Sequence, residues 1–84
     1  MIEIYSKKIC PFCDKAKILL KSKGYEYVEY KVDEDQELFK QMLERSDRRT
    51  LPQIFINNHH VGGCDDLFLL EETQGIQSLL DKEL

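Results

Sequence analysis

The chain has 84 residues, of which 42% are hydrophobic and 33% are charged, and its formal net charge is −4. This size predicts one globular domain over residues 1–84 and is too small for two. No apolar run approaches the ~20 residues of a membrane span, the first residues lack the apolar stretch of a signal peptide, and an acidic protein is a poor general binder of nucleic acid. We therefore expect a cytoplasmic protein with no membrane or nucleic-acid partner.

The first third of the chain predicts a strand, a helix and a second strand. Residues 2–5 alternate in polarity, as strands do. Pro11 suits the first position of a helix, because its missing N–H costs nothing there. Gly24 is a typical helix end, and the aromatic and β-branched residues from 25 to 32 predict the second strand. The expected apolar stripe of the helix consists of Phe12, Ala16, Leu19 and Leu20.

The middle of the chain predicts a second helix followed by a hairpin. Asp33 with Gln36 resembles a helix start signal. Residues 53–56 read as a third strand, and the pair 57–58, Asn-Asn, is a turn signal before a short partner strand at 59–61. The expected buried face of the second helix consists of Leu38, Phe39, Met42 and Leu43.

The last third predicts two helices. The first runs from about Cys64 to Gln74, and Gly75 separates it from a last amphipathic helix. The order is then β-α-β-α-β-β-α-α. A strand–helix–strand start implies a parallel pair with a right-handed crossover, and the later hairpin adds antiparallel strands. The predicted fold is therefore an α/β domain with a mixed four-stranded sheet flanked by helices.

Cys10 and Cys13 carry the clearest chemical signal. Two residues separate them at the opening of the first predicted helix, so their sulfurs can bond. Free N–H groups and the helix dipole at that end favour a thiolate, and such settings lower a cysteine pKa from ~8.5 to roughly 3.5–7.5. Lys7 would add to this effect at Cys10, whereas Cys13 should be more buried and less ionised. This difference predicts that Cys10 attacks and Cys13 resolves.

The sequence leaves other interpretations open for the cysteines and for Phe12. Three cysteines make a disulfide scaffold a weak interpretation. A zinc site is disfavoured because neither a second CxxC nor an HxxxH accompanies Cys10 and Cys13, although two adjacent histidines, His59 and His60, are present. Cys64 is either a buried small residue, which we favour, or a surface thiol. Phe12 is either core, as part of the stripe, or an exposed aromatic wall beside the sulfur, and we expect a share of each.

Two further segments predict a binding surface. Pro52 should begin the third strand, because proline is confined to strand starts and edges; a cis bond after Leu51 would leave that residue's backbone free for an extended peptide, and the alternative is an ordinary trans proline. The run Gly62-Gly63-Cys64-Asp65-Asp66 would let a ligand with an α-amino acid end approach a helix N-terminus. The alternative there is plain helix capping by the two aspartates.

Local charge predicts a small cationic rim on this acidic protein. Lys7 and Lys8 precede the first cysteine, and Arg48 and Arg49 precede Thr50-Leu51-Pro52. The rim forms only if the fold brings the two segments together.

Taken together, the three segments resemble the dithiol class of the glutaredoxin family, most of all its short bacterial members. CPFC is similar to the CPYC active site of that family, TLP to its TVP turn, and GGCDDL to its glycine-rich glutathione-binding segment. IEIY and PQIFIN also match, so the resemblance covers essentially the whole chain. It departs at Phe12, where the usual tyrosine has a hydroxyl, and at Leu51, where valine is usual.

The resemblance implies a thioredoxin-like fold and a monomer that reduces protein disulfides and glutathione mixed disulfides with glutathione, without a metal. It implies Cys10 as nucleophile and Cys13 as resolving thiol, and Pro52 as the cis-proline. It also implies ribonucleotide reductase as one downstream target, although no residue selects it. Glutathione contacts are implied for Lys7, Phe12, Thr50, Leu51, Pro52, Cys64, Asp65 and Asp66.

Three rival functions remain at this stage. The first is a redoxin fed by thioredoxin reductase, which the lack of tryptophan and the GGCDD run disfavour. The second is an iron–sulfur carrier in which Cys10 and glutathione hold a cluster in a dimer. Pro11 disfavours it, because family members that carry clusters usually have glycine there. The third is a zinc-binding interaction module.

Overall fold

The computed structural model describes residues 1–82 and has the predicted order of elements. None of the helices within these residues is both long and apolar enough to span a bilayer. The elements are β1 (Ile2–Ser6), α1 (Pro11–Ser22), β2 (Val28–Lys31), α2 (Gln36–Ser46), β3 (Gln53–Ile56), β4 (His59–Gly62), α3 (Cys64–Glu72) and α4 (Gly75–Asp81).

The four strands form one mixed sheet in the order β2-β1-β3-β4. β1 pairs in parallel with β2 and antiparallel with β3, and β3 pairs antiparallel with β4. Alternate residues of a strand face opposite sides, and the two hydrophobic clusters follow this rule. Ile54 and Ile56 pack with residues of α1, α3 and α4, while Phe55 packs with Met42 of α2. The predicted mixed sheet with helices on its faces is confirmed.

β2 is shorter than predicted. It begins at Val28, the partner of Glu3, whereas the prediction placed its start at residue 25. The Tyr25 N–H donates to the Leu20 carbonyl at the end of α1 (2.9 Å). Tyr25 and Tyr27 pack against the larger core cluster. This segment therefore hydrogen-bonds to the C-terminal end of α1, and its aromatic residues pack against the core instead of pairing in the sheet.

The start of α2 also differs from the prediction. Asp35 is the N-cap, because its Oδ1 accepts from the Glu37 N–H (2.9 Å). The carboxylate of Asp33 instead accepts from the Lys8 N–H (3.1 Å). Asp33 thus ties the end of β2 to the loop before α1, which is the loop that leads to Cys10.

The predicted third helix is also longer than the observed one. It was expected to reach Gln74, but α3 ends at Glu72 and Gln74 has a left-handed backbone.

The turn between β3 and β4 follows the prediction. Asn57 and Asn58 both have positive φ, at 49° and 68°, as two-residue hairpin turns require. The Asn57 side chain also donates to the Leu79 carbonyl of α4 (2.9 Å). The turn therefore joins the sheet to the last helix.

An ion pair fastens α2 to the sheet. The Arg45 guanidinium donates to the Glu3 carboxylate (3.0 Å) and lies 3.9 Å from the centroid of the Phe55 ring. Burial alone would raise the pKa of Glu3, but hydrogen bonds from Arg45 and Tyr30 outweigh it and lower the pKa below its usual 4.5. Ionised Glu3 therefore stabilises the folded state.

This pair predicts a loss of stability in acid. Because the folded pKa of Glu3 is depressed, its contribution is complete above pH 4.5 and is lost as the pH falls through the folded pKa. We expect the free energy of unfolding, measured by urea titration, to decline in this range. Glu3→Gln should flatten the decline in part, since Glu29 also has a lowered pKa and remains. An equally steep decline in Glu3→Gln would contradict this assignment.

Candidate active site

Cys10 lies at the start of α1. It is the N-cap residue, with φ −137° and ψ 96°, and Pro11 occupies the first helical position as predicted. The chain reaches it through Ile9, which has a φ of +53°. The Cys13 N–H donates to the Cys10 sulfur (3.2 Å). A sulfur that replaces the usual capping oxygen in this way receives a helix N–H directly, and this contact favours its anionic form.

Cys10 and Cys13 are joined by a disulfide, with their Cα atoms 5.2 Å apart. This separation is within the usual range for disulfides. The predicted difference in burial is present, since Cys10 is 6% exposed and Cys13 is fully buried. The arrangement can form and break a bond between two sulfurs, and of the two residues only Cys10 retains any exposure.

A groove of about 210 Å³ lies beside the start of α1. It brings together three segments far apart in the sequence: the start of α1, the loop before β3, and the start of α3. Seven of the eight residues implied as glutathione contacts line it, and Arg48 and Gly63 complete it. The seven are Phe12, Thr50, Leu51, Pro52, Cys64, Asp65 and Asp66.

The loop before β3 presents its backbone to the groove. The Leu51–Pro52 bond is cis, as the resemblance implied, and the trans alternative is wrong. β3 pairs with β1 only from Gln53 onward. Within residues 1–82, neither the N–H nor the C=O of Leu51 has a backbone hydrogen-bond partner. Leu51 can therefore pair with an extended ligand in the manner of an added strand.

The start of α3 has both a cap and a charged pair. Asp66 accepts from the Gly63 N–H (2.9 Å), so the predicted capping is present for this aspartate. Gly62 has a φ of +121°, and a Cβ there would lie 2.3 Å from Asp66 Oδ2, so only glycine fits. Arg48 approaches the same carboxylate (3.6 Å). The groove end thus combines helix N–H groups, an acid and a guanidinium.

Comparison with known proteins assigns the family. A family model described as Glutaredoxin matches residues 2–61, more than half of the chain. The chain belongs to the glutaredoxin family. It is 47% identical over 79 residues to Glutaredoxin 3 of Escherichia coli strain K12, which covers 94% of this chain and 95% of that protein. It is 48% identical over 80 residues to a probable glutaredoxin of Synechocystis, with 94% and 91% covered.

Solved structures agree with this assignment. The solution structure of glutaredoxin from Brucella melitensis matches with a TM-score of 0.81 and 46% identity, over 99% of this chain and 92% of that one. A buckwheat glutaredoxin–glutathione complex matches with a TM-score of 0.85 and 25% identity, over 96% and 76%. The thioredoxin-like fold is confirmed. This glutaredoxin is a glutathione-dependent thiol–disulfide oxidoreductase with a redox-active cysteine pair.

The structure decides between the two interpretations that the sequence allowed for Phe12 and for Cys64. Phe12 is 59% exposed and lines the groove. Its predicted share in the core is wrong, and the buried face of α1 begins instead at Cys13 and continues with Ala16 and Leu20. Cys64 is buried, which confirms the favoured interpretation, and burial raises the pKa of its thiol. Cys64 is therefore a poor nucleophile.

One member of the predicted cationic rim lies at the groove. Arg48 lines the groove, whereas Lys7 is exposed and is not among the residues that line it. The resemblance implied Lys7 as a glutathione contact and did not include Arg48, which local charge placed only in the predicted rim. The available signal for Arg48 was its position two residues before Thr50. Within residues 1–82, no group of three or more His, Cys, Asp or Glu side chains is arranged to hold a metal ion.

Proposed function

We propose that the groove of this glutaredoxin binds glutathione and that Cys10 is the nucleophile of two reactions. The observation that carries the proposal is the convergence of three distant segments on one groove at the start of α1, the helix that Cys10 caps. Leu51 would pair its backbone with the cysteinyl unit of glutathione. The N–H groups of α3 would receive the γ-glutamyl carboxylate, and Asp65 and Asp66 its amine.

The first proposed reaction removes glutathione from a glutathionylated protein. The Cys10 thiolate attacks the glutathione sulfur, a Cys10–glutathione disulfide forms, and the protein thiolate leaves. The thiolate of a second glutathione then attacks the glutathione sulfur of this mixed disulfide. Oxidised glutathione forms, and the Cys10 thiolate is released. Cys13 takes no part in this route.

The second proposed reaction reduces a protein disulfide. The Cys10 thiolate attacks one sulfur of the substrate, and the other leaves as a thiolate. Cys13 then attacks the Cys10 sulfur, which frees the reduced protein and forms the Cys10–Cys13 disulfide. Two molecules of glutathione reduce this bond in succession and leave as oxidised glutathione. The 5.2 Å between the two Cα atoms supports this closure.

A coupled assay tests the source of electrons. With glutathione, glutathione reductase and a glutathionylated peptide, we expect steady turnover that saturates with glutathione. With thioredoxin reductase in place of glutathione and its reductase, we expect no turnover above background. Turnover with thioredoxin reductase alone would favour the rival redoxin and contradict the proposal.

Asp66→Asn is expected to weaken glutathione binding. Asparagine retains an oxygen for the Gly63 N–H, so α3 keeps its cap, but the charge that would meet the γ-glutamyl amine is lost. A charge-assisted hydrogen bond contributes about 1.5–3 kcal/mol, so the KM for glutathione should rise at least about tenfold. The matched control is Asp35→Asn, the same change at the α2 cap. Equal KM values for the two variants would exclude Asp66 from the site.

We also propose the partners and setting that the family implies. The partners are glutathione, glutathionylated proteins and proteins with reducible disulfides, with ribonucleotide reductase as one candidate of the last class. The protein would act as a monomer in the cytoplasm, where thiols are kept reduced. Trapping of a mixed disulfide between Cys10 and ribonucleotide reductase in a Cys13→Ser background would test that candidate.

A further inference from the structure

A buried amide links β4 to the groove. Gln53, the first residue of β3, is fully buried. Its Nε2 donates to both the carbonyl oxygen and the hydroxyl oxygen of Thr50, each at 3.0 Å. Its Oε1 lies 2.7 Å from Nε2 of His60. A buried polar side chain with both ends satisfied is costly to disturb. The contacts therefore form a continuous chain from His60 through Gln53 to Thr50, which lines the groove.

The direction of each hydrogen bond in this chain follows from chemistry. The Thr50 carbonyl can only accept, so the amide nitrogen of Gln53 must face it and the amide oxygen must face His60. His60 Nε2 therefore carries a hydrogen and donates. Burial, and then the nearby positive charge of Arg48, lower the pKa of His60. The ring also stacks on Phe55, with 4.9 Å between the ring centroids.

We propose that His60 and Gln53 are positioning residues for the glutathione groove. Leu51 lacks a backbone partner within residues 1–82, and the loop that carries it lies outside the sheet. The hydrogen bonds from Gln53 hold the Thr50 carbonyl, which belongs to the peptide joined to the Leu51 nitrogen. The chain from His60 thus sets the direction of the Leu51 N–H before the ligand arrives. Such preorganisation lowers the entropy lost on binding.

His60→Phe tests the far end of the chain. Phenylalanine keeps a ring that can stack on Phe55 but cannot donate to Gln53. This inference rests on the proposed function of the groove. One neutral hydrogen bond contributes about 1 kcal/mol, so we expect the KM for glutathione to rise about fivefold while kcat stays within about twofold. The backbone amide resonance of Leu51 should shift in the ¹H–¹⁵N spectrum.

Controls separate positioning from general stability. His59→Phe is the matched control, since His59 is the exposed neighbour on the same strand; its KM and its Leu51 resonance should remain as in wild type. His60→Gln, which restores a donor, should recover part of the affinity. Gln53→Glu can accept from His60 but cannot donate to Thr50, so it should raise the KM at least as much as His60→Phe.

Two outcomes would overturn the inference. The first is a His60→Phe variant with a lower melting temperature but an unchanged KM and an unchanged Leu51 resonance, since this is the behaviour of a purely structural contact. The second is an equal change in His59→Phe. In either case, saturable wild-type turnover and a raised KM in Asp66→Asn would leave the glutathione groove itself supported. Their absence would instead reject the proposed function.

Discussion

Cys10→Ser is expected to lower both glutathione-dependent activities at least about 1,000-fold, because both proposed routes begin with attack by the Cys10 sulfur. A serine hydroxyl does not ionise near neutral pH and cannot form a disulfide. Neither remaining cysteine can replace Cys10, since Cys13 is fully buried and burial raises the pKa of Cys64. The measurement is the glutathione-coupled assay, run with a glutathionylated peptide and with a protein disulfide.

Cys10→Ser also tests whether the Cys10 thiol is ionised more readily than free cysteine. In reduced wild-type protein, the rate of alkylation by iodoacetamide should follow a thiol pKa below the ~8.5 of free cysteine, because Cys10 caps a helix N-terminus. Cys10→Ser should lose this phase of the reaction, and circular dichroism should show that the fold is retained. An unchanged fast phase in Cys10→Ser would assign the reactive thiolate to another cysteine and contradict the mechanism.

Cys13→Ser is expected to separate the two routes. Reduction of a glutathionylated peptide needs only Cys10 and should stay within about threefold of wild type, whereas reduction of a protein disulfide needs a resolving thiol and should fall at least about 100-fold. The substitution leaves the Cys13 N–H in place, so the Cys10 sulfur keeps this hydrogen bond. Both substrates should be assayed at the same glutathione concentration.

The intermediate provides a second measurement for Cys13→Ser. With a protein disulfide, the variant should accumulate a covalent complex that has the mass of both proteins and is released by a strong reductant. Wild type should accumulate none, because Cys13 resolves the complex. Equal loss of both activities would contradict the two-route scheme.

Features set by neighbouring residues could be predicted from the sequence alone. The placement of Cys10 at a helix cap follows from Pro11 after it and from the apolar spacing beyond it. The hairpin turn at Asn57 and Asn58 follows from the tolerance of asparagine for positive φ. These are short-range effects in which a side chain and its own backbone decide the outcome. The family resemblance rests on the same local segments.

Features that depend on distant contacts were decided only by the tertiary structure. Phe12 and Cys13 are adjacent and both apolar, yet the packing of α1 against the sheet buries one and exposes the other. Likewise, Arg48 lines the groove and Lys7 does not. The path of the loop that carries each residue determines which positive side chain lies at the groove. The hydrogen bond from His60 to Gln53 spans seven residues and requires the pairing of β3 with β4. The physical reason is that the burial of a side chain and its long-range hydrogen bonds depend on which segments pack together in the fold. The order of residues in the sequence does not give the distances between those segments.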